Sequence, residues 1–414
     1  MNINNQYSVK PSGVPWLGDI PAGWKTERLG VLYTHRNEKV SDKDFPPLSV
    51  TMKGVVPQLA TAAKTDDGDN RKLVRKGDFA INSRSDRRGS CGISAYDGSV
   101  SLINTILTPR GQMSPAYFNW LFHTDAFADE FYKWGHGIVD DLWTTRWSEM
   151  KRIQIVRPPL PEQRAIADYL DEKCGVIDAA IAEAKKGIEE YKAWKKSLIF
   201  EAVTGKRRVG VFNAEKQSCR EAEKMKPSGI PWIGEIPEGW RVIKGKYLLS
   251  ANSGVALRNE LLINMGNYPV FGGGEVIGYT DNWNCDAKTI LIGRVGARCG
   301  CVTLLKDKAW ATDNALIVST NAESRYLSYL LIGADLNQYN SSNAQPLITA
   351  GRIRNQVFPY VDDIRKQQAI ADYLDEKCAA IDAMVAEKEA LIADLEAYKK
   401  SLIYETVTGK REVA

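Results

Sequence analysis

Histidine is nearly missing from this sequence, with three in 414 residues (His35, His123 and His136). That scarcity removes most acid–base and nucleophile–base arrangements from consideration. No glycine-rich phosphate loop of the G-x-x-x-x-G-K-[ST] type occurs. An Asn/Asp-Pro-Pro-aromatic tetrad and a carboxylate–lysine nuclease cluster are also missing. The cysteines (Cys91, Cys174, Cys219, Cys285, Cys299, Cys301 and Cys378) are odd in number and scattered. A disulfide framework is therefore not expected, and a reducing cytoplasm is. Cys285, Cys299 and Cys301 have no fourth ligand nearby and no histidine in their half of the chain, so no metal site is expected. No apolar run is long enough to span a bilayer, and the opening MNINNQYSVK lacks the apolar core of a secretory signal. Charge of one sign is also lacking, since 55 basic against 51 acidic side chains leave only +4. Net charge thus gives little support to a polyanionic partner, and the placement of charge has to carry that argument.

What the sequence does contain is a repeat. KPSGVPWLGDIPAGW (Lys10 to Trp24) returns as KPSGIPWIGEIPEGW (Lys226 to Trp240), with 11 of 15 positions identical. The segment Arg164 to Val209 returns as Gln368 to Val413, with 29 of 46 positions identical. The middles, roughly 25–160 and 241–360, share little obvious sequence. Held ends around diverged middles suit a common scaffold that presents two different recognition surfaces. A recent duplication with one relaxed core stands as the alternative.

The second repeated segment carries a seven-residue apolar period. In the first copy Ala167, Cys174, Ile181 and Ile188 form one row, with Leu170, Ile177, Ala184, Tyr191 and Leu198 on the next. In the second copy Ala371, Cys378, Val385 and Ile392 face Leu374, Ile381, Lys388, Leu395 and Leu402, with Lys388 the charged intruder. Pro161 and Glu162 suit a helix start, and Thr204–Gly205 and Thr408–Gly409 suit a stop. Some 40 residues at ~1.5 Å each make a rod on the order of 60 Å. An apolar stripe of that length needs cover, so the two copies are expected to pair antiparallel about a pseudo-two-fold axis. Packing of each helix on its own domain is the other option. Cys174 and Cys378 read as small buried hydrophobes.

The arms are dense in proline, glycine and tryptophan, so they are extended and turned. Trp16, Trp24, Trp232 and Trp240 are read as staples to the domains, with base stacking the alternative. The middles show short apolar runs broken by glycine and aspartate, a mainly β pattern with one short helix each. Leu73 to Ile81 and Lys288 to Val295 are strand candidates, and Pro115 to Tyr132 and Ser324 to Gly333 are helix candidates. The fold class expected is α+β: two mainly-β domains joined by two long helices in an antiparallel coiled coil. The expected division is arm plus first domain 1–160, first helix 161–209, linker 210–225, second arm plus second domain 226–360, and second helix 361–414.

Basic loops mark candidate nucleic-acid contacts. In the first domain these are Arg71, Lys72, Arg75 and Lys76, then Asn82, Arg84, Arg87 and Arg88. In the second they are Arg294, Arg298, Gln345, Arg352 and Arg354. Arginine mixed with serine and asparagine suits phosphate binding and guanine-edge readout, although solvated loop charge needs no function at all. Gly272 to Gly274 lack the spacing of a dinucleotide loop.

Taken together, the order resembles the specificity subunit of type I restriction-modification systems. The residues that carry the resemblance are the paired W-x-G-x-I-P-x-G-W arms, VRPPLPEQRAIADYLDEK (Val156 to Lys173) and KGDFAINSR in the first domain. YPVFGGGEVIGY and ILIGRVGARCG in the second domain look like the other common version of that recognition domain. The second copy departs from the pattern at PYVDDIRKQQAI (Pro359 to Ile370). The resemblance implies a non-catalytic DNA-reading subunit whose two domains each read half of a split site in double-stranded DNA. It also implies two adenine-methylating partner subunits and a restriction/translocase subunit. The assembled complex would use S-adenosylmethionine, with ATP and magnesium for restriction. A coiled-coil scaffold without DNA specificity is the competing reading.

Overall fold

The computed structural model describes residues 8–59, 68–84, 87–137, 143–209, 224–339 and 346–413. The chain folds into two compact units, one made of residues 1–185 and 390–414, the other of 186–389. Each unit therefore takes helix segments from both copies of the repeat.

In the first unit the arm forms a small antiparallel ribbon, Val9–Pro11 with Asp19–Pro21. A second ribbon pairs Lys25–Arg28 with Gln154–Arg157 and brings the two ends of the divergent middle together. Inside that frame lies an antiparallel sheet in the order Cys91–Ile93, Phe79–Asn82, Asn104–Pro109, Tyr33–Arg36. A three-stranded sheet (Gly98–Val100, Arg71–Val74, Lys39–Val40) and the hairpin Leu48–Thr51/Gly54–Pro57 complete the β structure. Two helices follow, α1 (Pro115–Phe122) and α2 (Asp125–Lys133). The sequence led us to expect one helix over this stretch. It is broken because Thr124 turns its hydroxyl to accept from Phe127 N at 3.2 Å, which starts a new helix at a threonine N-cap. The long helix α3 runs Leu160–Val203.

The second unit repeats the plan. Ribbons pair Met225–Pro227 with Glu235–Pro237 and Arg241–Lys244 with Val357–Tyr360. Its main sheet runs Val302–Leu304, Ile290–Gly293, Ala315–Thr320, Leu249–Ser253, which is the strand order of the first unit reproduced. The middles thus share a topology that their sequences no longer show. Helix α4 (Ser324–Gly333) follows as expected, then a further short helix α5 (Ala350–Asn355) and the long α6 (Ile364–Val407). The glycines expected to stop the long helices, Gly205 and Gly409, lie at φ +72° and +74°, a backbone conformation that favours glycine.

Within each unit the long helices run antiparallel. Lys195 Nζ donates to Asp382 at 2.7 Å in the second unit, and Lys399 Nζ to Asp178 at 2.7 Å in the first, at equivalent positions of the repeat. Exposed pairs of this kind contribute ~0–1 kcal/mol each, so they register the helices more than they stabilise them. Stability comes from the stripes: Leu170, Cys174, Ile177 and Ile181 are buried with Leu402 in the first unit, and Leu198, Leu374, Cys378 and Ile381 in the second. Ile188 is buried too, whereas Tyr191, Val385, Ile392 and Leu395 are half-buried. Burial pushes both stripe thiols, Cys174 and Cys378, above the ordinary cysteine range. Lys388 is accommodated because its stem runs past Gly187, which has no side chain to meet it, and its ammonium lies 5.8 Å from the Tyr191 ring centre. Trp24 and Trp240 are buried in the two cores, and Trp16 and Trp232 line them, as staples should.

One buried residue repeated at the helix entrances escaped the sequence reading. Gln163 accepts from Ser114 N at 2.9 Å and donates to Pro158 O at 2.8 Å. Gln367 does the same for Glu323 N at 2.9 Å and Val361 O at 2.8 Å. Ser114 and Glu323 are the N-caps of α1 and α4, so each glutamine ties a long helix to α1 or α4 of its own unit. The signal was available, because glutamine stands one position before both matched segments.

Candidate nucleic-acid interface

The described part of the first unit's basic loops divides into residues that serve the fold and residues that face outward. Arg71 is buried, with its guanidinium donating to Ser99 Oγ at 2.8 Å and to Ser99 O at 3.1 Å. Lys72 is half-buried and donates to Asn104 O at 2.7 Å, and burial holds its ammonium below the ordinary lysine range. Both cations therefore support the sheet and are not displayed at the surface. Arg75 lies over the Phe45 ring and pairs with Asp97 at 3.3 Å, while Lys76 is exposed and its backbone N–H donates to the same carboxylate. That backbone hydrogen bond, with the Arg75 guanidinium beside it, holds Asp97 below the usual carboxylate range.

Asn82 ends the strand Phe79–Asn82 and turns its Oδ1 to accept from Arg84 N at 3.0 Å, an Asx turn that shapes the start of the arginine loop. Arg84 and Arg87 are exposed on that loop. They share a groove of about 440 Å³ with the strand Leu48–Thr51, Gln58, Ser101 and Asn104. Arg88 is turned elsewhere, lying 5.6 Å from the Tyr132 ring centre and paired with Asp129. The groove therefore gathers Asn82, Arg84 and Arg87, with Arg71 in its wall, and leaves Lys76 and Arg88 outside.

One atom of the groove residues is anomalous. Asn104 is buried and its Nδ2 donates to Ser101 O at 3.0 Å, which fixes the amide orientation, yet its Oδ1 meets no donor among the described residues. A buried acceptor left unmet costs about 1–3 kcal/mol. Sequence could not reveal this asparagine or Gln58, because neither belongs to a charged cluster.

In the second unit Arg294 is half-buried and donates to Ser253 Oγ at 2.8 Å and Asp313 O at 3.2 Å, with its Nε unpaired. Arg298 is exposed and sits 3.6 Å from Glu275. Arg352 donates to Tyr339 O at 2.9 Å, and Arg354 is exposed on α5. Gln345 lies outside the described residues. The glycine loop is a packing device: a side-chain carbon on Gly273 would lie 2.9 Å from Val295 O, and one on Gly293 would lie 2.2 Å from Gly273 O. Among the described residues no group of three His, Cys, Asp or Glu side chains is placed to hold a metal, and no helix is long and apolar enough to cross a membrane.

Comparison with known proteins places this arrangement. Residues 237–392 match the family model of the type I restriction modification DNA specificity domain. Over 145 residues the chain is 34% identical to the specificity subunit of the type I restriction enzyme EcoprrI from Escherichia coli, which is 34% of either chain. Over 311 residues it is 24% identical to the MjaVIII specificity subunit of Methanocaldococcus jannaschii, covering 64% of this chain and 63% of that one. The chain thus spans about a third of the first of these relatives and under two thirds of the second. A chain from a solved type I R-M system, studied for its complex assembly and conformational transition, shares the fold with a TM-score of 0.70 at 14% identity. That match covers 95% of this chain and 99% of the other. Residues 237–392 are thus similar to the DNA specificity domain of type I restriction-modification systems. As a whole, the chain shares its fold, over nearly its full length, with that chain of the solved type I R-M system.

The arginine loop gives a test of the interface. Replacing Arg84 and Arg87 by alanine is expected to weaken binding to any duplex and to lower the log–log salt slope by roughly one unit per lost phosphate contact. Arg88→Ala should change it less, because its guanidinium is engaged by Asp129 and Tyr132. Fluorescence anisotropy across a salt series reads both. An unchanged slope in the double variant would make these arginines solvated loop charge.

Proposed function

We propose that the chain is the non-catalytic sequence-specificity subunit of a type I restriction-modification complex. Each unit reads one half of a split, asymmetric site in double-stranded DNA, and the chain directs methylase and restriction subunits to that site. The observation that carries this reading is the duplicated design. One sheet topology and one frame are used twice, with different loops mounted on each, and the second copy matches a DNA specificity domain. The EcoprrI and MjaVIII relatives are both specificity subunits, which supports leaving the chemistry to partners. In that assembly S-adenosylmethionine would serve two methylase subunits, and ATP and magnesium a translocating restriction subunit. The paired long helices, whose outer faces carry Trp194 and Tyr398 exposed at equivalent positions of the repeat, offer the surface for such partners. The reading also places the protein in the cytoplasm, where its DNA is.

Methylome sequencing of cells with and without this gene tests the proposal. The expected result is a two-part adenine-methylated motif, with a fixed gap, that disappears with the gene. Identical methylomes in cells expressing the partner subunits would overturn it.

A further inference from the structure

The groove of the first unit is lined by a neutral amide, Gln58, that serves no hydrogen bond of the fold among the described residues. Around it several polar groups are committed to the fold. Ser49 Oγ accepts from Leu59 N at 3.3 Å, and Thr51 Oγ1 donates to Gly54 O at 2.9 Å. Asn82 Oδ1 and Asn104 Nδ2 are committed to Arg84 N and Ser101 O. Gln58 follows the hairpin strand Gly54–Pro57, held there by its backbone N–H donating to Pro47 O at 3.1 Å, and lines the groove. It is half-buried, and among the described residues no hydrogen bond engages its amide.

A half-buried amide on a groove wall gives up side-chain freedom without a partner in return. The unmet Asn104 Oδ1 is a second polar atom without a partner among the described residues, buried in the groove wall, and the Gln58 amide is the one of the two that a ligand in the groove can reach. The exposed guanidinium of Arg84, which lines the same groove, supplies attraction to a polyanion whatever its sequence. Gln58 has the complementary character. It carries no charge, adds nothing to the sequence-independent electrostatic attraction, and can present a donor and an acceptor side by side. That pattern matches N7 and N6–H₂ of adenine in the major groove.

We propose that Gln58 is a base-reading residue of the first unit and that it specifies an adenine in the half-site which that unit reads. The inference rests on the DNA-reading function proposed above and adds a residue and a base to it. On binding, the Gln58 carbonyl accepts from the adenine amino group and its NH₂ donates to N7, while Arg84 holds the neighbouring backbone.

The test uses the full chain assembled with its methylase subunits and a duplex library randomised one position at a time. Gln58→Ala is expected to abolish the preference for A·T at a single position, a loss of about 10- to 100-fold in discrimination, with other positions and the salt slope unchanged. Gln58→Glu keeps the stem and removes the donor, so it should shift that position toward cytosine, whose amino group a carboxylate accepts from. Both variants should melt with the parent, because no internal hydrogen bond is lost. If the parent selects a motif and both variants select the same one, the assignment of Gln58 is overturned while the function stands. Uniform weakening at every position would also overturn it, by making Gln58 a backbone contact. A parent complex without sequence preference would overturn the function and this inference together.

Discussion

Exchanging residues 25–160 for the matching segment of a relative with a different target will change one half of the methylated motif and leave the other half as it was. The exchanged segment begins and ends on one ribbon, Lys25–Arg28 against Gln154–Arg157, so its two ends meet at a frame that stays in place. Its aromatic core is built around Phe79, Phe118, Phe122 and Phe127 and is distinct from the second unit's core around Ile292, Leu316, Tyr326 and Phe358. Substitutions that share no contacts act additively, and on that basis the second reader keeps its geometry. The graft must preserve one feature, a backbone N–H at the N-cap of α1, because Gln163 accepts from it at 2.9 Å in a buried site. Removing that partner leaves a buried amide oxygen unmet, at a cost of about 1–3 kcal/mol. Single-molecule sequencing of the methylated DNA reads the result directly. A swap that altered both halves of the motif would show that the units do not read independently.

The repeat was legible because its constraints are dense. A seven-residue apolar period, a proline near each arm turn and a glycine at each helix stop recur wherever geometry admits few residues. The shared topology of the middles was not legible. Cys91–Ile93 and Val302–Leu304 occupy the same edge of their sheets, but an edge strand asks only for a β-compatible pattern and many residues satisfy it. Charge clusters marked the right loop of the first unit and overcounted its members. Arg71 looks like its neighbours in sequence, and only the sheet shows that its guanidinium closes on Ser99. Neutral readers leave no such trace. Gln58 and Asn104 stand out only once the hydrogen bonds around them are accounted for. A linear reading also takes each long helix as one piece, whereas residues 186–203 fold with the second unit and residues 390–413 with the first.

That last exchange has a measurable consequence at the two helix stops. Gly205 ends the helix that follows the first recognition domain, yet a side-chain carbon placed on it would lie 2.5 Å from Pro237 Cδ and 3.3 Å from Trp240, both in the second arm. Gly409 ends the second helix, and the same carbon would lie 2.3 Å from Pro21 Cδ and 3.0 Å from Trp24, in the first arm. At φ +72° and +74° an alanine pays the left-handed penalty of about 1–2 kcal/mol before any contact is counted. Forcing a methyl against a packed proline ring adds about 1–3 kcal/mol more. Gly205→Ala is therefore expected to destabilise the second unit and Gly409→Ala the first, each by roughly 2–5 kcal/mol. Hydrogen exchange followed by mass spectrometry separates the two outcomes. Gly205→Ala should speed exchange in Ile290–Gly293 and Ala315–Thr320, and spare Phe79–Asn82 and Asn104–Pro109. Gly409→Ala should do the reverse. If Gly205→Ala instead loosened the strands of residues 25–160, the helix ends would belong to the domains that precede them. The crossed architecture would then be wrong.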